Sequence, residues 1–234
     1  MLVAAAVCPC PPLLVPDVAA GAAFELDPAR DACADALGVL AAARPDRLVV
    51  VGPDERDASY PEGVRGSFRG FGVDLDVRLG HGAGDTTGTL PASLAVAAWL
   101  LDRAGWACAP VEGLGVTQPL PVASCVRAGQ DIAGRAGRVA LLVMGDGSAC
   151  RTLKAPGYLD DRAAGFDAEI ARALGAADLE ALRALDAGLA RELRASGRAP
   201  WQVLAGAAEN AGLGGSLLYD DAPYGVGYLV AAWS

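Results

Sequence analysis

Three short runs of consecutive apolar residues, each ending at a turn, constrain the fold of this chain most. They occupy residues 2–7, 48–51 and 139–144, which is the length of a strand and too short for a typical helix. A strand without polar interruptions is buried on both faces, as in a parallel sheet covered by helices. We therefore predict that these three runs form the middle of such a sheet.

Helical and strand patterns alternate along the rest of the chain, and 53% of its residues are hydrophobic, enough for one sizeable core. We predict an α/β fold: one domain over residues 1–234, with a mostly parallel central sheet flanked by helices. An alternating pattern at residues 73–79 fits an antiparallel edge strand. The periodicity predicts helices at 28–43, 90–104, 124–133, 160–174, 179–196 and 200–208, and further strands at 107–111, 216–219 and 225–231.

Charge and hydropathy argue against several classes of partner. The net charge of −9 repels nucleic acid, so we expect no nucleic-acid partner. The apolar runs are too short to cross a bilayer, and no basic residue precedes the first of them, so we expect no membrane partner and a cytoplasmic protein. We expect the six cysteines to be reduced thiols, mostly in the core. A homo- or hetero-oligomer is compatible with this composition.

The turns after the buried strands are where we expect function. Parallel strands end at the same edge of a sheet, and α/β proteins usually bind their ligands there. Cys10, Asp54 and Ser148 follow the three strands. We therefore predict that these three residues lie on one rim of the sheet.

Three segments also carry a family resemblance: Val-Cys-Pro-Cys-Pro-Pro-Leu-Leu-Val-Pro at 7–16, Leu-Leu-Val-Met-Gly-Asp-Gly-Ser at 141–148 and Asp-Ala-Pro-Tyr-Gly-Val-Gly-Tyr at 221–228. In this order they resemble the B-subunit superfamily of class III extradiol ring-cleavage dioxygenases, which includes the Memo-like proteins. Within it, the chain is most similar to an actinobacterial branch, and its single lysine, Lys154, suits a GC-rich genome. The resemblance covers the whole chain.

The resemblance implies iron(II) held by two histidines and one glutamate, with a further histidine as acid/base, so that O₂ opens a catechol ring. Such a triad leaves positions on iron open for catecholate and oxygen. Here Cys10 occupies the position of the first histidine, and residues 52–55 contain no second one. Ala149 follows Ser148 where the acid/base histidine is expected.

The glutamate ligand is also missing from its expected place. Residues 196–199 are Ser-Gly-Arg-Ala, and Glu209 is the nearest later carboxylate. The only histidine of the chain is His81, so the iron triad and its histidine base cannot all be supplied. The resemblance therefore predicts the fold better than the reaction.

Another metal is an alternative to iron. Cys8 and Cys10 lie two positions apart, so on an extended strand both thiols face the same side, where they could bind zinc or copper(I). Asp54 and His81 are the residues that could complete such a site. The alternative is that both cysteines are small core residues and that His81 faces solvent.

Further candidates surround the third buried strand and the last one. Asp146 and Ser148 could act in catalysis, although a serine nucleophile would need His81 as its base; the alternative is that they cap a turn. Lys154 could bind an anionic ligand, and Tyr224 could line the rim.

Three functions remain compatible with these residues. The first is a diverged member that does not cleave catechols and binds a small ligand or an altered metal at the rim. The second is an active enzyme that uses a Cys10 thiolate, or a metal held by Cys10, Asp54 and His81, for hydrolysis or ring opening. The third is a structural protein that binds a partner chain, by analogy with two-chain members of the superfamily.

Overall fold

The computed structural model describes residues 1–82 and 88–234. Nine strands lie in the described ranges: β1 (Leu2–Cys8), β2 (Arg47–Pro53), β3 (Ala58–Tyr60), β4 (Arg65–Ser67), β5 (Asp76–Arg78), β6 (Val111–Val116), β7 (Val139–Met144), β8 (Gly215–Asp221) and β9 (Tyr228–Trp233). The α-helices there are α1 (Pro16–Ala19), α2 (Asp27–Ala42), α3 (Ala92–Arg103), α4 (Val122–Ala133), α5 (Arg162–Gly175), α6 (Leu179–Arg183), α7 (Ala187–Glu192) and α8 (Arg198–Ala207).

Seven strands form the central sheet in the order β3-β6-β2-β7-β1-β9-β8. The strands β6, β2, β7 and β1 run parallel, as the apolar runs predict. In register, Val7 lies beside Val143, which lies beside Val51, so the carboxyl ends of these three strands are level. The turns that follow them therefore meet at one edge of the sheet.

Antiparallel strands form both edges of the central sheet, but residues 73–79 are not among them. β3 pairs with β6 at one side, and β9 and β8 extend the sheet beyond β1 at the other. The prediction of an edge strand at 73–79 is corrected: β5 pairs with β4 in a separate two-stranded sheet. This small sheet packs closely on α3, since a Cβ at Gly66 would lie 3.0 Å from the Cβ of Ala95.

Helices cover both faces of the central sheet, and alternate residues of each strand pack into two cores. One core contains α2 and α3, and the other contains α4, α5 and α8. In α2 the buried residues Cys33, Leu37 and Leu40 follow the spacing of one helix face. None of the helices in the described ranges is long and apolar enough to cross a membrane.

Two predicted elements differ from the structure. Residues 179–196 form two short helices, because the Asp186 carboxylate accepts a hydrogen bond from the Leu189 N–H at 2.6 Å and begins α7 as a new helix. The predicted strand at 107–111 is replaced by β6, which begins at Val111. Two glycines at positions 113 and 115 interrupt the apolar pattern of β6, which is why the sequence does not reveal it.

Candidate functional site

A cavity of about 810 Å³ lies at the edge where the parallel strands end. We call it the rim cavity. Its polar wall includes Cys10, Asp54, Tyr60, Ser93, Asp146 and Ser196. The turns after β1, β2 and β7 thus all contribute polar residues to the wall, as the parallel arrangement requires.

Cys10 and Asp146 form a contact at the base of the rim cavity. The Cys10 N–H donates to Asp146 Oδ1 at 2.8 Å, and the Cys10 thiol lies 3.8 Å from Asp146 Oδ2. The Asp146 N–H in turn donates to Ser196 Oγ at 2.9 Å, and its carbonyl oxygen accepts from the Gly197 N–H at the same distance. Two separate segments therefore hold Asp146, one through its carboxyl group and the other through its main chain.

Burial changes the pKa values of both Cys10 and Asp146. Desolvation raises the pKa of Asp146 to about 6, and the hydrogen bonds from Cys10 oppose that rise. Burial also raises the pKa of the Cys10 thiol, and the neighbouring Asp146 charge raises it further, against a hydrogen bond with Ser196 that lowers it. Cys10 is therefore a protonated thiol at neutral pH, beside a carboxyl group that titrates close to neutrality.

Asp54 lies on another part of the wall and is held by its own contacts. Its Oδ2 accepts a hydrogen bond from the Tyr60 hydroxyl at 2.5 Å, and its Oδ1 accepts from the Glu55 N–H at 2.6 Å. Burial, together with the Asp54 carboxylate, raises the pKa of Tyr60. Gly115 on β6 permits this arrangement, because a Cβ there would overlap Asp54 Oδ2.

His81 lies outside the rim cavity. Its Nε2 is 2.7 Å from the Trp106 carbonyl oxygen, which only accepts, so Nε2 carries the proton. The ring lines a different cavity beside α3. The structure thus corrects the prediction that Cys10, Asp54 and His81 form one metal site.

The rim cavity does not fit the iron centre that the family resemblance implies. It offers one thiol and several carboxylates but no imidazole, whereas the expected centre requires two histidines. In the ranges 1–82 and 88–234, no three His, Cys, Asp or Glu side chains are grouped to hold a metal ion. Glu209 does not replace the missing glutamate, because it pairs with Arg183 and Gln130 outside the rim cavity.

Ser148 does not reach the rim, which corrects its predicted place there. It is 0% exposed, its hydroxyl donates to Asp167 Oδ2 at 2.8 Å, and its N–H donates to Asp167 Oδ1 at 2.7 Å. Arg151 pairs with the same carboxylate at 3.1 Å. Ser148 therefore satisfies a buried carboxylate, and of the two predicted catalytic residues only Asp146 lines the cavity.

Two further predictions concern residues near the rim. Cys8 faces the same side of β1 as Cys10, but it is buried beside Cys33 of α2, whose thiol raises the pKa of Cys8. The two thiols of the Cys-Pro-Cys sequence therefore have different partners. Lys154 and Tyr224 line a separate cavity of about 520 Å³, so they are brought together, but away from the rim cavity.

Tyr60, Ser93 and Ser196 are wall residues that the sequence did not indicate. Tyr60 ends β3, a strand of three residues that is too short to show an alternating pattern. Ser93 lies in the first turn of α3, and its hydroxyl donates to the Pro53 carbonyl oxygen at 2.6 Å. Ser196 lies in the segment where the resemblance places the glutamate ligand, which was the one available signal for it.

Comparison with known proteins supports the fold alone. No family model matches the chain, and no curated protein matches it. Among solved structures, it is similar to the crystal structure of the uncharacterised protein JW3007 from Escherichia coli K12. The two share 13% sequence identity with a TM-score of 0.55, over 99% of each chain. This chain therefore shares its overall fold with that protein at low sequence identity.

Proposed function

We propose that this protein is a diverged relative of the class III extradiol dioxygenases that does not cleave catechols and instead binds a small polar molecule in the rim cavity. The observation that carries the proposal is the buried Cys10–Asp146 contact at the base of a cavity of about 810 Å³. A carboxyl group held by a backbone N–H and facing a cavity is a preformed acceptor for a ligand.

The wall carries three carboxyl groups, those of Asp54, Glu55 and Asp146, against one guanidinium, that of Arg56, and this excess of acceptors favours a ligand that donates hydrogen bonds. The carboxylates of Asp54 and Asp146 accept, and the Ser196 hydroxyl already accepts from the Asp146 N–H. Since the pKa of Asp146 is about 6, this group is mostly ionised at neutral pH. A primary ammonium group would pair with it, so we propose a small amine or amino alcohol as the ligand class.

The donor set argues against dioxygenase chemistry. Ring cleavage in the family depends on two histidine ligands, and Cys10 and Asp54 stand after the strands that should supply them. A thiol and a carboxylate prefer other metals and other geometries from an iron facial triad. Iron(II) therefore has no fitting site among these residues.

A second candidate is an enzyme that uses Cys10 as a nucleophile, since the Asp146 carboxylate lies within reach of its proton at 3.8 Å. The direction of the pKa shifts favours the first candidate. The thiolate is the reactive form, and both burial and the Asp146 charge raise the pKa of Cys10. Free protein therefore holds little thiolate.

Alkylation of Cys10 by iodoacetamide reports occupancy of the rim cavity directly. At about pH 9, where more thiolate forms, we expect tyramine to slow Cys10 labelling at least tenfold more effectively than 4-hydroxyphenylacetate. The two probes share a phenol ring and differ in the sign of their charge. The preference should disappear in Asp146→Asn and persist in the control Asp35→Asn, whose carboxylate is exposed on α2. Equal protection by both probes would contradict the proposed ligand class.

Catechol cleavage is tested separately. The protein is reconstituted anaerobically with iron(II), exposed to air with protocatechuate, and followed by oxygen uptake. We expect no uptake and no yellow ring-opened product. Stoichiometric iron after reconstitution, with a yellow product that Cys10→Ala abolishes, would overturn the proposal.

A further inference from the structure

A second cavity, of about 590 Å³, lies between the β4–β5 sheet and the second half of α3. We call it the α3 cavity. It is separate from the rim cavity, which touches only the first residues of that helix. Its wall carries Arg65, Arg78, His81, Trp99, Asp102 and Trp106.

Two arginines of the α3 cavity are direct neighbours on the paired strands of the small sheet. Arg65 on β4 is the direct antiparallel partner of Arg78 on β5. Like charges in directly opposite positions destabilise a strand pair. In the described part of the chain, neither guanidinium forms an ion pair with a carboxylate, whereas Arg69, in the connection between β4 and β5, pairs with both Asp74 and Asp76.

Most hydrogen-bond donors of this arginine pair are unused. Arg78 Nη1 donates to the Gly82 carbonyl oxygen at 3.0 Å, and this is the one side-chain bond of the pair in the described ranges. A guanidinium carries five N–H donors, arranged to bind two oxygen atoms of one anion. Within residues 1–82 and 88–234 no carboxylate neutralises this pair, so it is a preformed place for an anion with several oxygen atoms.

Aromatic side chains form the opposite wall. Trp99 on α3 is half-buried, and the guanidinium of Arg103 lies 5.7 Å from the centre of its ring. Trp106 is 4% exposed and donates from Nε1 to the Ala109 carbonyl oxygen at 3.0 Å, which holds its ring in place. The His81 ring is hydrogen-bonded to the carbonyl oxygen of Trp106. Trp106 thus gives this wall a fixed planar ring, and Trp99 adds a second indole beside it.

The α3 cavity is locally positive, whereas the chain as a whole is negatively charged. Of its two wall carboxylates, Asp76 is already paired with Arg69, which leaves Asp102 against the two arginines. The chain as a whole has a net charge of −9. Two directly opposed guanidinium groups against one remaining carboxylate leave the cavity locally positive, which favours an anion.

We infer that the α3 cavity binds a small aromatic phosphate monoester, with the phosphate between Arg65 and Arg78 and the ring against Trp99. A phosphate monoester carries close to two negative charges at neutral pH and three acceptor oxygens, which match two guanidinium groups. An aromatic ring gains from contact with an indole face.

Calorimetric titration with phenyl phosphate tests this inference. We expect saturable binding that weakens at least tenfold in the double variant Arg65→Gln/Arg78→Gln, because two charge-assisted contacts are lost. Arg191→Gln, which removes an exposed arginine of α7, is the matched control and should leave the affinity unchanged. Binding should also weaken in about 1 M salt, where charges are screened within roughly 3 Å.

Two further probes separate the anion from the ring. Inorganic phosphate should bind more weakly than phenyl phosphate, and phenol should not bind measurably. Trp99→Ala should reduce the affinity for phenyl phosphate to that for inorganic phosphate. Equal affinity of the double variant and the parent protein, or equal affinity for phenol and phenyl phosphate, would overturn the inference. Labelling of Cys10 in the rim cavity should be unaffected by phenyl phosphate, which distinguishes this site from the proposed amine site.

Discussion

The backbone N–H of Cys10 donates to Asp146 Oδ1 at 2.8 Å, and this bond joins residues that lie 136 positions apart in the chain. It connects the turn after β1 with the turn after β7, two strands that are neighbours in the sheet. Because the bond is made by the main chain, it does not depend on the cysteine side chain. A substitution at Cys10 therefore leaves the carboxyl group of Asp146 in place.

The protonation of Asp146 is expected to make stability depend on pH. The folded-state pKa of about 6 lies above the ordinary value of 3.8, so the native state binds this proton more tightly than the unfolded chain. The stabilising contribution is complete below about pH 4 and is lost as the pH rises through about 6. As the pH rises from about 4 to about 8, the free energy of unfolding of Asp146→Asn should therefore increase by roughly 1–3 kcal/mol relative to that of the parent protein.

Urea denaturation of the parent protein and of Asp146→Asn, each at about pH 4 and about pH 8, measures this change in stability. Asp35→Asn, at an exposed position, is the control and should differ from the parent protein by the same amount at both. A pH-independent difference for Asp146→Asn would contradict the expected titration.

The reactivity of Cys10 should depend on Asp146. The Asp146 charge raises the pKa of the Cys10 thiol, so Asp146→Asn should lower that pKa and speed iodoacetamide labelling at a given pH. Peptide mass spectrometry separates this site from Cys108, which is the exposed cysteine and should react first in both proteins. Unchanged Cys10 kinetics in the variant would argue against charge coupling between the two residues.

Ser148 is expected to contribute to stability and not to ligand binding. Ser148→Ala removes the hydroxyl that donates to the buried Asp167 carboxylate, at a cost of about 1–3 kcal/mol. Protection of Cys10 by tyramine should be unchanged. Ser124→Ala, at an exposed position on α4, should change stability by less than about 0.5 kcal/mol. Loss of tyramine protection in a folded Ser148→Ala protein would instead assign Ser148 to the ligand site.

Gly115 should be required for the position of Asp54. Gly115→Ala places a Cβ where Asp54 Oδ2 now lies, so the carboxylate must move and lose its bond to Tyr60. We expect a loss of about 1–3 kcal/mol in stability and weaker protection of Cys10 by tyramine. Gly38→Ala, in α2 with no atom near the added Cβ, should stabilise the protein by roughly 0.5–1 kcal/mol. Normal stability and protection in Gly115→Ala would contradict this role.

The sequence was informative where apolar runs were continuous. β1, β2 and β7 are such runs, and their parallel pairing brings Cys10, Asp54 and Asp146 to one cavity. Local periodicity records burial on both faces of a strand, which is why this part of the fold was predictable. It does not record the direction of a side chain beyond the strand end.

Ser148 and Tyr60 illustrate what local patterns omit. After Asp146 the chain turns inward, since the Gly147 N–H donates to the Gly227 carbonyl oxygen at 2.7 Å and directs Ser148 toward Asp167. Tyr60 reaches the cavity through a three-residue strand paired with the glycine-containing β6. Both positions depend on contacts between distant segments, which a window of neighbouring residues does not contain.

The level ends of β1, β2 and β7 also have a consequence for folding. The polar wall of the rim cavity joins segments from residue 10 to residue 196, so its formation must wait for several long loops to close. Contacts of this range form slowly and contribute their free energy late in folding. A nascent or truncated chain that lacks β7 has no Asp146 and no base to the cavity. Ligand binding at the rim is thus restricted to molecules in which the central sheet is fully assembled.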